Sequence, residues 1–341
     1  MPRRVWTDLD EARTLCCEVD GGALYLARLD ELELELLLIE ALGEPKRVRP
    51  LAARRYGTGS RPVRLGGVAS PLGDVAARLL RDVEPLPPEP PSVPPEGMAS
   101  LASMVRRLAR QAGLQVEVRV EAGLVANAAC GERTIFLADR RFGVHEARRL
   151  AVHEVLGHLV AAANGRAQPL ALLQVGTAGS LADQEGLALT LEEQAGLLDA
   201  RRLRTLAARV WVADALHGQA AFGDVVQLLV SEHGFSADEA IALAERAYRG
   251  GGVARDPIYL YGWLRVRRAV AEDGVTVDEL RLGKVGLDAI PALRELVADG
   301  ALRPPLYAPT LARSLAATDL GTRASTSPPS FAASLMRFDE T

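Results

Sequence analysis

Along the first 84 residues the apolar positions recur at mixed two- and three-residue intervals, as in LARLDELELELLLIEAL, which suits a helix better than a strand of that length. Residues 1–84 therefore read as a leucine-rich, charged helical segment. The pattern breaks in PLPPEPPSVPP (85–95), where seven prolines in eleven residues favour extended polyproline II and deny both helix and sheet hydrogen bonding, so a linker is expected there. Beyond it, SMVRRLARQAG predicts a helix stopped by Gly113, and Val116, Val118 and Val120 alternate as in a half-buried strand. RTIFLAD predicts a second strand across the turn-prone ACGER. VHEARRLAVHEVLGHLVAAANG then keeps helical periodicity for about twenty residues and reaches Asn164-Gly165, a favoured left-handed stop. From residue 183 the pattern is mostly helical, with DVVQLLVSEHG and SADEAIALAERAYRG each closed by glycine. Residues 313–341, rich in small polar residues and proline, read as a loosely held tail. Strand, strand, long helix and then more helices predict an α+β fold, mostly helical, with a small sheet beside the long helix and a main domain over 96–312.

Composition adds boundaries. The 341 residues, 48% hydrophobic and 25% charged, suffice for one large core or two modest ones. Forty basic and forty-four acidic residues leave a formal charge of −4 with no dense Lys/Arg block, so nucleic acid is not an expected partner. No stretch has the apolar length of a membrane span or the make-up of a secretory leader, which points to a cytoplasmic protein with no membrane partner. Cys16, Cys17 and Cys130 are an odd count including two neighbours, and read as reduced thiols.

Chemistry concentrates in the long helix. His153-Glu154-Val155-Leu156-Gly157-His158 nearly reproduces the His-Glu-x-x-His arrangement that presents two imidazoles and a carboxylate to one metal, but with one residue too many. Residues five apart on a regular helix are turned by about 140°, so the two histidines would not share a face. A π-bulge, which accommodates one extra residue, would bring them together, and Gly157 is the residue least able to resist it. A catalytic zinc site needs a third protein ligand and an open fourth position. Glu185 suits this, beside the small Gly186 and Ala188 and with Asp183 as the expected cap of its helix. Glu192 and Glu193 compete for the role but read as solvated carboxylates deeper in a charged helix face. Two imidazoles and a carboxylate also suit iron or manganese.

HEVLGH, followed by NGRAQPLALLQVGTAG and QEGLA, resembles the microtubule-associated tyrosine carboxypeptidase family, whose bacterial members carry the QEGLA motif. VANAACGERTIFLADRRF, AYRGGGVARDPIYLYG and LGKVGLDAIPALRELVADGALRPPLYAP extend the likeness over roughly 100–310, while residues 1–84 resemble the family weakly and the proline stretch departs from it. The resemblance implies a zincin-like metallopeptidase with Zn2+ held by His153, His158 and Glu185 and with Glu154 as the catalytic carboxylate. It also implies a peptide or protein C-terminus as substrate, with an aromatic or acidic last residue. A zinc endopeptidase and a metal-stabilised regulatory protein are the rival readings. An intact Glu154 speaks against the second of these, because a purely structural site has no use for a base.

On the substrate side, Tyr259 is an expected oxyanion donor. A carboxypeptidase also needs a fork for the terminal carboxylate, which Arg246 or Arg249 can supply. Arg249 is preferred for the three glycines after it. Asn127, between the two strands, marks an edge to which an extended peptide can add. His145, His217 and His233, near helix ends, are not expected to be ligands.

Overall fold

The computed structural model describes residues 3–316 except 20 and 66, so most of the expected C-terminal tail lies outside the described residues. The chain runs through α1 (Arg3–Cys16), α2 (Gly22–Glu40), α3 (Pro45–Tyr56), β1 (Pro62–Leu65), β2 (Val68–Pro71) and α4 (Leu72–Asp82). Next come α5 (Leu101–Gln111), β3 (Glu117–Glu121), β4 (Ala128–Cys130) and β5 (Thr134–Ala138). One continuous helical stretch follows: α6 (Val144–Val152), a π-helical segment (His153–Leu159) and α7 (Val160–Ala167). The remainder is helical: α8 (Leu172–Val175), α9 (Ser180–Gln194), α10 (Ala200–His217), α11 (Phe222–Ser231), α12 (Ala237–Tyr248), α13 (Pro257–Ala271), α14 (Val277–Leu280), α15 (Ile290–Ala298) and α16 (Leu311–Ala316). This is a mostly helical α+β chain. Among the described residues no helix is long and apolar enough to cross a membrane, and none of the three cysteines is in a disulfide.

Contacts divide the described chain into two compact units, residues 3–86 and 200–265 in one and 87–199 and 266–316 in the other. The N-terminal segment thus groups with α10–α12 rather than standing alone. In this first unit α4 packs on α10 through Leu72, Val75 and Leu79, all at most 1% exposed. Arg204 on α10 donates to the carbonyls of Leu80 (2.7 Å) and Val83 (2.8 Å), supplying donors that the C-terminal turn of α4 lacks. The antiparallel β1–β2 pair went unforeseen, because four-residue strands are too short for period-two alternation to stand out.

In the second unit the sheet order is β3-β5-β4, with β3 parallel and β4 antiparallel to β5. β4 occupies part of what was expected to be a turn. The proline-rich stretch, expected as a linker, passes the unit boundary at 86/87 and is then bound to the second unit. Val93 and Phe142 exchange both backbone hydrogen bonds at 2.8 Å. The Glu89 carboxylate accepts from the backbone N–H groups of His145 (2.8 Å) and Glu146 (3.4 Å), capping the N-terminus of α6. Gly113 has φ 77°, the left-handed stop expected after α5.

Asn164-Gly165 does not end its helix, which runs on to Ala167. Both residues are used for packing instead. A Cβ on Gly165 would lie 2.4 Å from the Leu173 carbonyl oxygen. The Asn164 amide donates to the carbonyls of Arg281 (2.8 Å) and Tyr307 (2.9 Å) and accepts from the Tyr307 N–H (2.8 Å).

Candidate metal centre

The helix carrying both histidines widens where the extra residue demanded it. His153–Leu159 is π-helical, and the Val160 N–H donates to the Val155 carbonyl five residues back. Gly157 is required for a second reason as well. The widened segment packs against α9 so closely that a Cβ on Gly157 would sit 2.6 Å from the Ala188 Cβ and 3.0 Å from its Cα. Small residues on both helices let the carboxylate of Glu185 reach the histidines.

The widening places His153 and His158 on one face, with Nε2 atoms 3.2 Å apart and rings crossing at 80°. Glu185 Oε2 lies 3.3 Å from His153 Nε2 and 3.7 Å from His158 Nε2, yet it is buried without a well-aligned hydrogen bond. Among the described residues these three side chains form the one cluster with metal-ligand spacing. Ligand atoms held tetrahedrally at about 2.0–2.1 Å from zinc are about 3.3–3.4 Å from one another, so the three separations fit a single small cation at their centre.

Behind them stands Glu192, fully buried, which accepts from His153 Nδ1 at 2.7 Å and from Arg149 at 3.3 Å. It is not the solvated carboxylate the sequence suggested. It orients the imidazole through the nitrogen that faces away from the centre, as partners of metal-binding histidines commonly do. The signal was present: Glu192 is seven residues after Glu185, two turns along the same face of α9. Glu193 turns elsewhere and pairs with Arg267 at 2.9 Å. Asp183 is not the cap of α9, a place taken by Gly179; its buried carboxylate accepts from the Leu287 N–H at 2.7 Å.

Charge follows this arrangement. Burial opposes protonation of His153, but the nearby carboxylates of Glu185 and Glu192 overcome it and push its pKa up to about 9. Burial likewise disfavours the Glu185 carboxylate, yet the two imidazoles hold it well below the usual carboxylate range. Glu154 is buried beside His153, and its charge reaches Cys130 on β4, whose thiol is pushed up first by burial and then by that carboxylate.

Asn127 directly precedes β4. Its side-chain amide donates to Glu146 at 3.1 Å, while its carbonyl accepts from the Ala138 N–H at 3.1 Å. The other sequence candidates belong to the first unit. Arg246 is a bidentate partner of Asp256 (2.7 and 2.8 Å), so its fork is already filled. Tyr259 lies beneath the Arg209 guanidinium, 4.8 Å from Cζ to ring centroid. Arg249 is exposed at the end of α12, but the glycines that favoured it serve packing: Gly251 faces the backbone of Gly43 and Glu44, and Gly252 faces Arg49. His145 approaches Asp199 at 3.5 Å, and His233 packs edge-on to Trp211. Burial disfavours the charged form of both His217 and His233.

No curated protein matches the chain. A family model does: that described as microtubule-associated tyrosine carboxypeptidase matches residues 10–325, running through the N-terminal segment and proline stretch that motifs alone did not tie to it. The chain therefore belongs to the microtubule-associated tyrosine carboxypeptidase family, which implies carboxypeptidase-like activity on a peptide or protein.

Proposed function

We propose that the protein is a zinc-dependent carboxypeptidase of zincin-like design, with His153, His158 and Glu185 as ligands and Glu154 as the catalytic carboxylate. The observation that carries this reading is the meeting of two imidazole nitrogens and a carboxylate oxygen at one point, with Glu192 fixing the first imidazole from behind. Bound there, zinc supplies Lewis acidity, polarising a substrate carbonyl and easing deprotonation of water. Three protein ligands would leave a fourth position for water, as a catalytic zinc site requires.

Glu154, next to a ligand on the same helix, takes the proton from the attacking water and returns it to the leaving amine. The sheet order leaves β4 with a free edge among the described strands, and β4 contacts the π-helical segment. An extended peptide pairing with that edge would run beside the histidines, which supports the role proposed for the Asn127 region.

The test is metal analysis of the purified protein followed by mass spectrometry of a mixed peptide library, each peptide offered with a free and an amidated C-terminus. Zinc at one per chain and loss of single residues from free termini alone are expected. Internal cuts, or equal cleavage of amidated peptides, would replace this reading with an endopeptidase.

A further inference from the structure

The π-helical segment leaves one backbone acceptor unpaired by its own helix, and a side chain from a distant part of the sequence takes it. In an α-helix each N–H donates to the carbonyl four residues back, and in a π-turn to the one five back. The ladder is still in the five-residue step at Val160, which donates to Val155. With the Val160 N–H spent on Val155, the carbonyl of Leu156 does not receive the four-residue bond that a regular helix would give it. That oxygen is buried, midway between Glu154 and His158.

Arg281 Nε donates to the Leu156 carbonyl at 3.0 Å. The guanidinium is 2% exposed, and its Nη1 donates to the carbonyl of Pro309 at 3.1 Å. Among the described residues the carboxylate paired with it is Asp278, at 4.0 Å and itself half exposed. A buried cation spent on two backbone carbonyls is expensive to keep in a fold unless it does something an apolar side chain cannot.

We propose that Arg281 is a positioning residue for the metal centre: by occupying the Leu156 carbonyl it holds the helix in the widened form that puts His153 and His158 on one face. Without that donor the buried carbonyl recovers a partner most directly by taking the Val160 N–H at the four-residue step. The extra residue is then no longer accommodated, and His158 turns away from His153 by about 140°. The inference rests on the metal role proposed above for His153, His158 and Glu185. It adds that the ligand geometry is set before the metal arrives.

Zinc affinity, measured by competition with a chelating dye, and the absorption spectrum of the cobalt-loaded protein test the idea. Arg281→Met should bind zinc about 10- to 100-fold more weakly, the usual cost of losing an outer partner of a metal site, and should alter the cobalt spectrum. Arg281→Lys, which keeps one donor, should fall between. Gln168→Ala is the control: it breaks the paired hydrogen bonds of Gln168 with Arg303 (2.8 and 3.0 Å), loosening the same C-terminal segment without touching Leu156, and should bind zinc as the parent does. A folded Arg281→Met protein with unchanged affinity and spectrum would overturn the proposal. Should that variant fail to fold, the coupling across the Val160 hydrogen bond, read by NMR on the metal-free parent, decides: Val160 nitrogen coupled to the Val155 carbonyl supports the lock, and coupling to the Leu156 carbonyl overturns it. A parent protein that binds no divalent metal would sink the metal reading instead, and the coupling measurement would still judge the lock.

Discussion

Each unit of the protein buries a cluster of charge, and the two are built differently. In the first, Asp256 fills the fork of Arg246, and Arg209 lies 3.9 Å from the same carboxylate with its face on Tyr259. Burial opposes the charge on Asp256, but Arg209 and Arg246 hold its pKa below the usual range; Arg246 is raised in turn by its bond to Asp256. The Arg246 fork and the Asp256 carboxylate point at each other and complete a pair, while Arg209, its Nε buried without a hydrogen bond, adds charge alone. In the second, the bonds that orient the groups come from outside, from Glu192 and Arg149, and the inner atoms of His153, His158 and Glu185 crowd one point. Both clusters shift pKa values, so a shifted pKa alone does not mark a functional site. What separates them is whether the groups complete each other or jointly face a space between them.

The largest effect expected from this contrast lies in the open cluster. Glu154→Gln preserves shape and leaves the three ligands untouched, so bound zinc should be unchanged while peptide hydrolysis falls roughly 10²- to 10⁴-fold, the contribution usual for a general base. Parent-level turnover by this variant would show that another group moves the proton.

Asp256→Asn probes the closed cluster. Removing one partner of a buried ion pair strands the other, at a cost of about 3–5 kcal/mol, and here two guanidinium groups would be stranded. Urea unfolding should show that loss while zinc stoichiometry stays at the parent value. A loss below about 1 kcal/mol would mean that the arginines find other acceptors and that Asp256 does not complete them.

Glu192→Gln addresses the boundary of the open cluster. It keeps the size of the side chain but weakens the acceptor for His153 Nδ1, so zinc affinity should drop about 10- to 100-fold without loss of a ligand. Unaltered affinity would reduce Glu192 to a neutral packing partner.

These residues also show what was legible in the sequence. The spacing of HEVLGH called for a widened helix if both histidines were to share a face, and the structure has one there. Glycine stops were legible where the residue adopts positive φ, as at Gly113 and Gly234. They misled at Gly165, where glycine is needed for the close approach of Leu173 and the helix continues. Local pattern says nothing of partners far along the chain. Glu192 looked solvated because its neighbours are charged, yet Arg149 and His153 bury it, and Arg281 carried no signal at all. The three-residue β4 was illegible because its pairing comes from β5, not from alternation of its own.

The smallest expected effect is a dependence on pH in the first unit. His233 packs edge-on to Trp211, rings 5.1 Å apart, with Nε2 buried and unpartnered, and Arg204 donates to its carbonyl. Burial lowers its pKa, Arg204 adds to that, and the charge of Glu232 opposes it. His217 is lowered in the same way, by burial first and then by Arg49, against Asp214. A histidine whose folded pKa lies below its unfolded value of about 6.5 contributes stability above that pH and loses it as pH falls through the folded pKa, because the unfolded chain takes up the proton first. His233→Phe keeps a ring against Trp211 and removes the titration. Urea unfolding of parent and variant between pH 7.5 and 5 should therefore show the parent losing more stability toward acid than the variant does. Carboxylates titrating in the same window affect both proteins alike and cancel in the difference. Parallel curves would show that His233 protonates as readily in the fold as in the open chain, and that its burial does not hold it neutral.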